Sequence, residues 1–315
     1  MYILGFDIGG TKCAVSTAEW DGESVTLLRK EKCPTDLSVP PEEMIDRLIA
    51  LAEEILDKKP DSIGISSGGP LDAESGVILA PPNLPGWDRV EISRIIEEHF
   101  GISAHLENDA NACAVAEWRF GAGKGKKNMV FLTFGTGLGA GLILDGKLYR
   151  GANGNAGEVG HIRLSDSGPV GFGKAGSFEG FCSGGGIGRL AYAMAMEEIK
   201  NGRYPSYFSE GMTEDDVSAK SVSDAALSGD ATALEVYRIS GRQLGKGLAI
   251  IVDVLNPELI VIGSVFLRSG QLLIESMTEE LEKEALACSL GVAKIVPAGL
   301  GESVGDYAAI AAALL

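Results

Sequence analysis

The chain opens with two runs of apolar residues broken by polar ones at short intervals, YILGFDI and KCAVSTAEW, followed by an Asp21-Gly22 turn. Short periods of this kind predict a strand meander over residues 1–30. The spacing changes at PEEMIDRLIALAEEILDKK, residues 41–59, where apolar positions recur three and four apart behind Pro41, which suits a first helical turn. DSIGISS then predicts a short buried strand that leads into a long Gly/Pro loop ending near Trp87. A loop of that length in a compact domain is more often functional than its composition indicates. A helix follows over 90–100 and a strand over 102–106, and Asn108 or Asp109 caps a helix that Gly121 stops.

The layout then repeats. MVFLTFGTGLGAGLILDGKL, residues 129–148, reads as an apolar strand, a Gly-Thr-Gly turn, a second apolar strand and an Asp145-Gly146 hairpin turn. A glycine-dense stretch covers 151–181, and helices dominate 187–255 around the polar segment SEGMTEDDVSAK. Asn256-Pro257 turns into a strand over 258–263, with a helix over 270–287, a strand over 294–297 and a closing helix over 302–315. Mixed strands and helices in two similar halves predict an α/β fold around a cleft. The expected division is a smaller α/β domain, 1–112 plus 302–315, and a larger one, 113–301.

The first glycine turn, GFDIGGTK, is not a P-loop. That motif reads G-x-x-x-x-G-K-[ST] and runs into a helix, whereas here Lys12 follows Thr11 and a strand comes next. Gly9 and Gly10 are thus expected at a strand-to-strand turn, taking backbone angles closed to other residues and letting amides approach a ligand. Most short glycine turns bind nothing, but a second copy about one domain away indicates one polyphosphate held from two sides.

Composition narrows the partners. At 315 residues the chain is long enough for two domains, and 45% hydrophobic with 23% charged residues is globular usage. A formal net charge of −17, with Gly123-Lys124-Gly125-Lys126-Lys127 as the one basic run, disfavours nucleic acid as a partner. Five widely spaced cysteines without a C-x-x-C pair fit a reduced, cytoplasmic chain. No apolar run approaches membrane-spanning length and the N-terminus enters a strand directly, so neither signal peptide nor membrane anchor is expected.

GFDIGGTK, ENDANACAVAEW and GNAGEVGHIRL, in that order, resemble the ROK family of sugar kinases and sugar-responsive repressors, within the actin/hexokinase superfamily. The resemblance covers essentially the whole chain, and ENDANA with GEVGH is far more specific than either glycine turn. It implies a two-domain actin-like ATPase (ribonuclease H-like) fold with an interdomain cleft, and an ATP- and Mg²⁺-dependent kinase acting on a hexose 6-hydroxyl, glucokinase-like in type. Asp109, which alone would read as a helix cap, matches the family's catalytic base. Gly68, Gly69, Asn83, Asn108, Glu158, His161 and Glu179 match its sugar-binding positions, although Glu158 by itself would pass for a surface acid and His161 for a structural histidine. Asp7 resembles the acid facing the metal and phosphates, through water. Gly9, Gly10, Thr11 and Lys12 would lie along the phosphates from one side, Thr136 and Gly137 from the other, and Gly263 near the adenosine. Homodimers are common in the family.

Two departures stand out. Gly263 is followed by Ser264 and Val265, where the family usually has another glycine or two. After His161, typical members carry C-x-C-G-x-x-G-C-x-E, whose cysteines complete a zinc site; here Val170, Phe172 and Ser177 hold those places, while Gly173, Gly176 and Glu179 remain. One histidine cannot supply four ligands, so no structural zinc is expected. Val170 and Phe172 are expected instead to hold the loop by apolar packing. The resemblance leaves other functions open: an N-acetylmannosamine or other N-acyl hexosamine kinase, a silent sugar sensor, or a repressor. The repressors place a helix-turn-helix domain before the first hairpin, which is not expected here.

Overall fold

The structure is a computed structural model that describes residues 1–315. β1 (Tyr2–Ile8), β2 (Lys12–Trp20) and β3 (Val25–Pro34) form the expected antiparallel meander. α1 (Pro41–Ile55) buries Met44, Ile45, Leu48, Ile49, Ala52 and Ile55, the stripe its spacing predicts. β4 (Ser62–Ser67) follows. The segment expected as a loop then contains a small antiparallel sheet of β5 (Leu71–Asp72), β6 (Val77–Leu79) and β7 (Asp88–Val90). Next come α2 (Ile92–Phe100), β8 (Ala104–Asn108), α3 (Asp109–Phe120), β9 (Met129–Leu132), β10 (Ala140–Leu144) and β11 (Lys147–Leu148). Asp145 and Gly146, both at positive φ, make the β10–β11 turn.

β12 (Val170–Gly171) and β13 (Lys174–Ala175) form a hairpin in the glycine-dense stretch. The helical region comprises α4 (Phe178–Phe181), α5 (Gly184–Lys200), α6 (Ala219–Leu227) and α7 (Ala231–Leu255). β14 (Leu259–Ile262), α8 (Val265–Glu284), α9 (Ala287–Leu290), β15 (Lys294–Pro297) and α10 (Val304–Ala312) complete the chain. α8 begins five residues before the expected helix because Val265 follows the strand after only two residues. No helix is long and apolar enough to cross a membrane.

The chain packs as two compact units, one of Met1–Lys127, Gly141–Ala156 and Glu302–Leu315, the other of Asn128–Ala140 and Gly157–Gly301. Residue 112, where the division was expected, lies inside α3, all of which packs in the first unit.

In the first unit the sheet order is β3-β2-β1-β4-β8, with β1, β4 and β8 parallel. β1 shows how side-chain alternation places chemistry. Leu4, Phe6 and Ile8 enter the core shared with α1 and α2, while Ile3 packs on the other face with Ala18 and Ile310. Asp7 shares the Ile3 face, the one that α10 covers. α10 sits unusually close to the sheet there: a Cβ on Gly64 would lie 2.0 Å from the Ala309 carbonyl oxygen, so any larger residue would push the helix away. In the second unit β14 lies between β9 and β15, all parallel, and β9 and β14 are buried along their whole length.

Candidate active site

In the first unit the Gly9–Thr11 turn joins β1 to β2 as expected, but for a different physical reason. Neither Gly9 nor Gly10 has a positive φ. What excludes a side chain is close packing: a Cβ on Gly10 would lie 2.3 Å from the Asn83 carbonyl oxygen. The turn is braced from the end of β3, where Thr35 Oγ1 donates to Gly9 O at 2.6 Å and Thr35 N donates to Thr11 O at 3.0 Å. Lys12 is exposed at the start of β2.

The same packing gathers the expected sugar residues of this unit. A Cβ on Gly68 would stand 3.3 Å from Asn83 Nδ2, and one on Gly69 would stand 3.3 Å from Asn108 Nδ2. Asn108 ends β8 and caps α3, its Oδ1 accepting from Ala110 N at 3.0 Å and Asn111 N at 3.4 Å. With Oδ1 committed to the helix, the amide Nδ2 is the group left to face a ligand. Asp109 is the first residue of α3, and its Oδ1 accepts from Ala110 N at 2.7 Å. A carboxylate at a helix N-terminus is favoured by the helix dipole.

Two residues without an assigned role set this strand end. Glu107 is almost wholly buried, its Oε1 accepting from Asn108 N and Asn111 Nδ2 at 3.0 Å each and its Oε2 from Arg150. Glu107 lies one residue beyond the strand expected over 102–106, at the head of the ENDANA motif, and nothing in the sequence marks Arg150.

Asp7 sits among like charges. Burial, together with the carboxylates of Asp109 and Asp306, pushes its pKa up to about 7, and Lys30 and Lys12 only partly oppose this. Asp306 stands in the first turn of α10 and pairs with Lys30. The sequence reading missed Asp306, although an acid in the apolar run VGDYAAIAAALL was a usable sign.

In the second unit, Thr133 N and Oγ1 tie the glycine turn across to Gly139, at 3.0 Å to Gly139 O and 2.9 Å from Gly139 N. The backbone carbonyls of Gly135 and Thr136 accept from Gly184 N at 2.7 Å and Gly185 N at 3.4 Å, at the start of α5. Glu179, from α4, lies against this turn: its Oε2 accepts from Leu138 N at 3.0 Å and would be 2.7 Å from a Cβ on Gly137. Glu179, Gly137 and the Gly160 backbone are therefore neighbours. Glu158 and His161 flank a short 3₁₀ turn with exposed side chains, and the His161 ring meets Phe172 edge-on at 6.2 Å.

The loop that lacks cysteines is not held as expected. Phe172 is 75% exposed, with φ of +42°, and Val170 is 46% exposed, so neither packs the loop from within. Hydrogen bonds hold it instead. Ser177 is fully buried and caps α4, accepting from Gly180 N at 3.1 Å. Arg163 donates to Ala175 O at 2.8 Å and Lys174 Nζ to His161 O at 2.7 Å. A bridge between Arg163 and Ser177 closes the base. The apolar reading failed because a two-residue hairpin turn has no interior to offer.

Gly263 follows β14, its N donating to Leu132 O at 3.0 Å. Ser264 takes φ +51° and ψ −106°, a backbone conformation suited to glycine, and its Oγ accepts from Arg268 at 3.0 Å.

The model of the ROK family matches residues 3–314. A glucokinase of Streptomyces coelicolor is 31% identical over 305 residues, covering 96% of this chain and 94% of that protein. A xylose repressor of Caldicellulosiruptor bescii is 29% identical over 290 residues, covering 90% of this chain and 70% of the repressor. Among solved structures, a ROK family glucokinase from Streptomyces griseus in complex with glucose and AMPPNP superposes with a TM-score of 0.78 at 30% identity, over 99% of this chain and 98% of that one.

Proposed function

The chain belongs to the ROK family, with the actin-like α/β fold of its kinases, and we propose that it transfers the γ-phosphoryl group of ATP to the 6-hydroxyl of a hexose. The observation that carries this reading is the placement of Asp109 at the head of α3, beside Asn108 and within the electrostatic reach of Asp7. Likeness to glucokinases along nearly the whole chain supports it.

In this reading Asp109 accepts the proton of the attacking sugar hydroxyl. In the first unit Asn83 and Asn108 are assigned to the other hydroxyls, which need short polar groups able to donate and accept hydrogen bonds; in the second unit Glu158, His161 and Glu179 are the residues of that chemistry at the family's sugar positions. The Gly68-Gly69 backbone lines the same pocket. The residues present suit a nucleotide: in the first unit Gly9, Gly10 and Thr11 put main-chain groups at a turn and Lys12 adds a cation, and in the second Thr136 and Gly137 put main-chain groups at the other glycine turn, with Gly263 just after β14 assigned to the nucleoside. Mg·ATP, when bound, would supply the transferable group and neutralise its charge, and Asp7 is the acid assigned to the metal.

Release of ADP, measured with ATP·Mg²⁺ against glucose, mannose, fructose, allose, N-acetylglucosamine and N-acetylmannosamine, tests the proposal and selects the sugar. Turnover on an N-acyl hexosamine alone would give the amino-sugar kinase instead. The likeness to a xylose repressor favours a second reading, sugar binding without transfer. Saturable sugar binding with no ADP release on any sugar would establish that reading and overturn the kinase.

A further inference from the structure

Three turns of the first unit, far along the chain from one another, surround a hollow of about 430 Å³. They are the β2–β3 turn at Gly22 and Glu23, the loop after α3, and the β10–β11 turn at Gly146. Trp20, Trp118, Arg119, Lys124, Lys126 and Lys127 supply most of its lining. We propose that this hollow is a second ligand site, which takes a phosphate ester carried on a ring, the chemistry shared by sugar phosphates and nucleotides.

The walls are fixed before any ligand arrives. The Asp21 carboxylate accepts from Glu23 N at 2.9 Å, Ser24 N at 2.8 Å and Ser24 Oγ at 2.8 Å, which sets the β2–β3 turn. Trp118 Nε1 donates to Lys126 O at 2.8 Å, and Gly146 N donates to Lys127 O at 2.8 Å. Lys124 Nζ reaches Glu23 O at 3.5 Å and so spans the mouth from one wall to another. The volume lies in the range of small-molecule sites.

The lining argues for the ligand class. The chain carries a net charge of −17, yet its one basic run meets Arg119 here, with Glu23 as the only acid in the lining. A solubilising lysine loop would not need two of the chain's three tryptophans in its wall. Arg119 lies over the Trp118 ring at 4.4 Å, an arrangement that leaves the guanidinium edge able to bind a phosphate, and the two indoles in the lining add apolar surface for a ring to pack on. An unphosphorylated sugar would make no use of the cations, and the acidity of the rest of the chain opposes a nucleic acid. None of the lining residues belongs to the proposed sugar or ATP positions. Trp118 stands nine residues beyond Asp109 on the same helix, roughly 14 Å along its axis.

The test is calorimetric titration, with tryptophan fluorescence in parallel, using glucose 6-phosphate, ADP without Mg²⁺ and inorganic phosphate as probes. At least one ring phosphate is expected to bind with saturable fluorescence change, about tenfold or more tighter than inorganic phosphate, and the tighter of the two ring phosphates identifies the source. Arg119→Glu and Lys124→Glu, with Lys124→Gln as the milder variant, should weaken that event at least tenfold while leaving melting temperature and basal sugar turnover unchanged. Ring-phosphate binding of equal strength in the parent and all three variants, or no preference for ring phosphates over inorganic phosphate, would overturn the proposal.

Discussion

Arg150 grips the buried Glu107 through two donors, Nε at 2.8 Å and Nη2 at 2.7 Å from the same carboxylate oxygen. Because the other oxygen holds Asn108 N and Asn111 Nδ2, the pair fixes from behind the strand end that presents Asn108 and Asp109. Removing one partner of a buried ion pair leaves the other charge uncompensated. Arg150→Met is expected to destabilise the first unit by about 3 kcal/mol, the low end for such pairs since Arg150 itself is partly exposed. It should also raise the KM for sugar more than that for ATP. Urea denaturation and steady-state kinetics read both effects, and an unchanged denaturation midpoint would contradict the assignment.

Asp7 makes stability depend on pH in a direction opposite to most carboxylates. Its pKa is raised from 3.8 to about 7 by burial and by Asp109 and Asp306. Between those values the folded chain keeps a proton that the unfolded chain has released, so the contribution of Asp7 to stability falls as pH rises through that window. Asp7→Asn, which mimics the protonated form, should match the parent in melting temperature near pH 4 and exceed it by several degrees at pH 8. A difference of the same size at both pH values would show that Asp7 does not titrate in this way.

Ser264 holds a glycine-like backbone conformation and is partly compensated by Arg268. Ser264→Gly should relieve about 1 kcal/mol of backbone strain, whereas Ser264→Ala keeps the strain and loses the hydrogen bond. The glycine variant is therefore expected to melt above the alanine variant. The reverse order in calorimetry would mean that the Arg268 contact, rather than the backbone, governs this turn.

Ser177 and Phe172 occupy two of the cysteine places in the loop below Glu179 and contribute unequally. Ser177→Ala removes a buried helix cap, with an expected loss of about 1 kcal/mol, while Phe172→Ala removes an exposed ring and should change stability by less than about 0.5 kcal/mol. Denaturation of the two variants side by side settles which residue holds the loop. A zinc-selective chelator with Mg²⁺ in excess is expected to leave the melting temperature of the parent unchanged.

Much of the architecture could be read from the chain because periodicity reports burial directly. The β1–β3 meander, the stripe of α1, the Asp145-Gly146 turn and the four-residue strand β15 all follow from local pattern. The small sheet β5–β7 was hidden because strands of two and three residues carry no measurable period. At the site, the resemblance to the ROK family named Asn83, Gly68, Gly69 and Asn108 together, and the packing of the first unit brings them into one cluster. Arg150 and Thr35 could not be found that way, since each reaches the site from a distant segment by tertiary packing alone, whereas Asp306 carried a sign of its own, an acid in an apolar run. Phe172 shows the converse: an apolar residue in a former ligand position reads as packing until the turn geometry turns its ring outward.

The central claim is phosphoryl transfer with Asp109 as the base, and the most direct measurement compares ADP release by the parent and by Asp109→Asn on the best sugar, with sugar affinity measured alongside. The near-isosteric amide keeps the helix start but cannot take the proton, so turnover should fall by roughly 10² to 10⁴-fold while the Kd for sugar changes little. Full turnover by Asp109→Asn, on a sugar that the parent phosphorylates, would contradict the account.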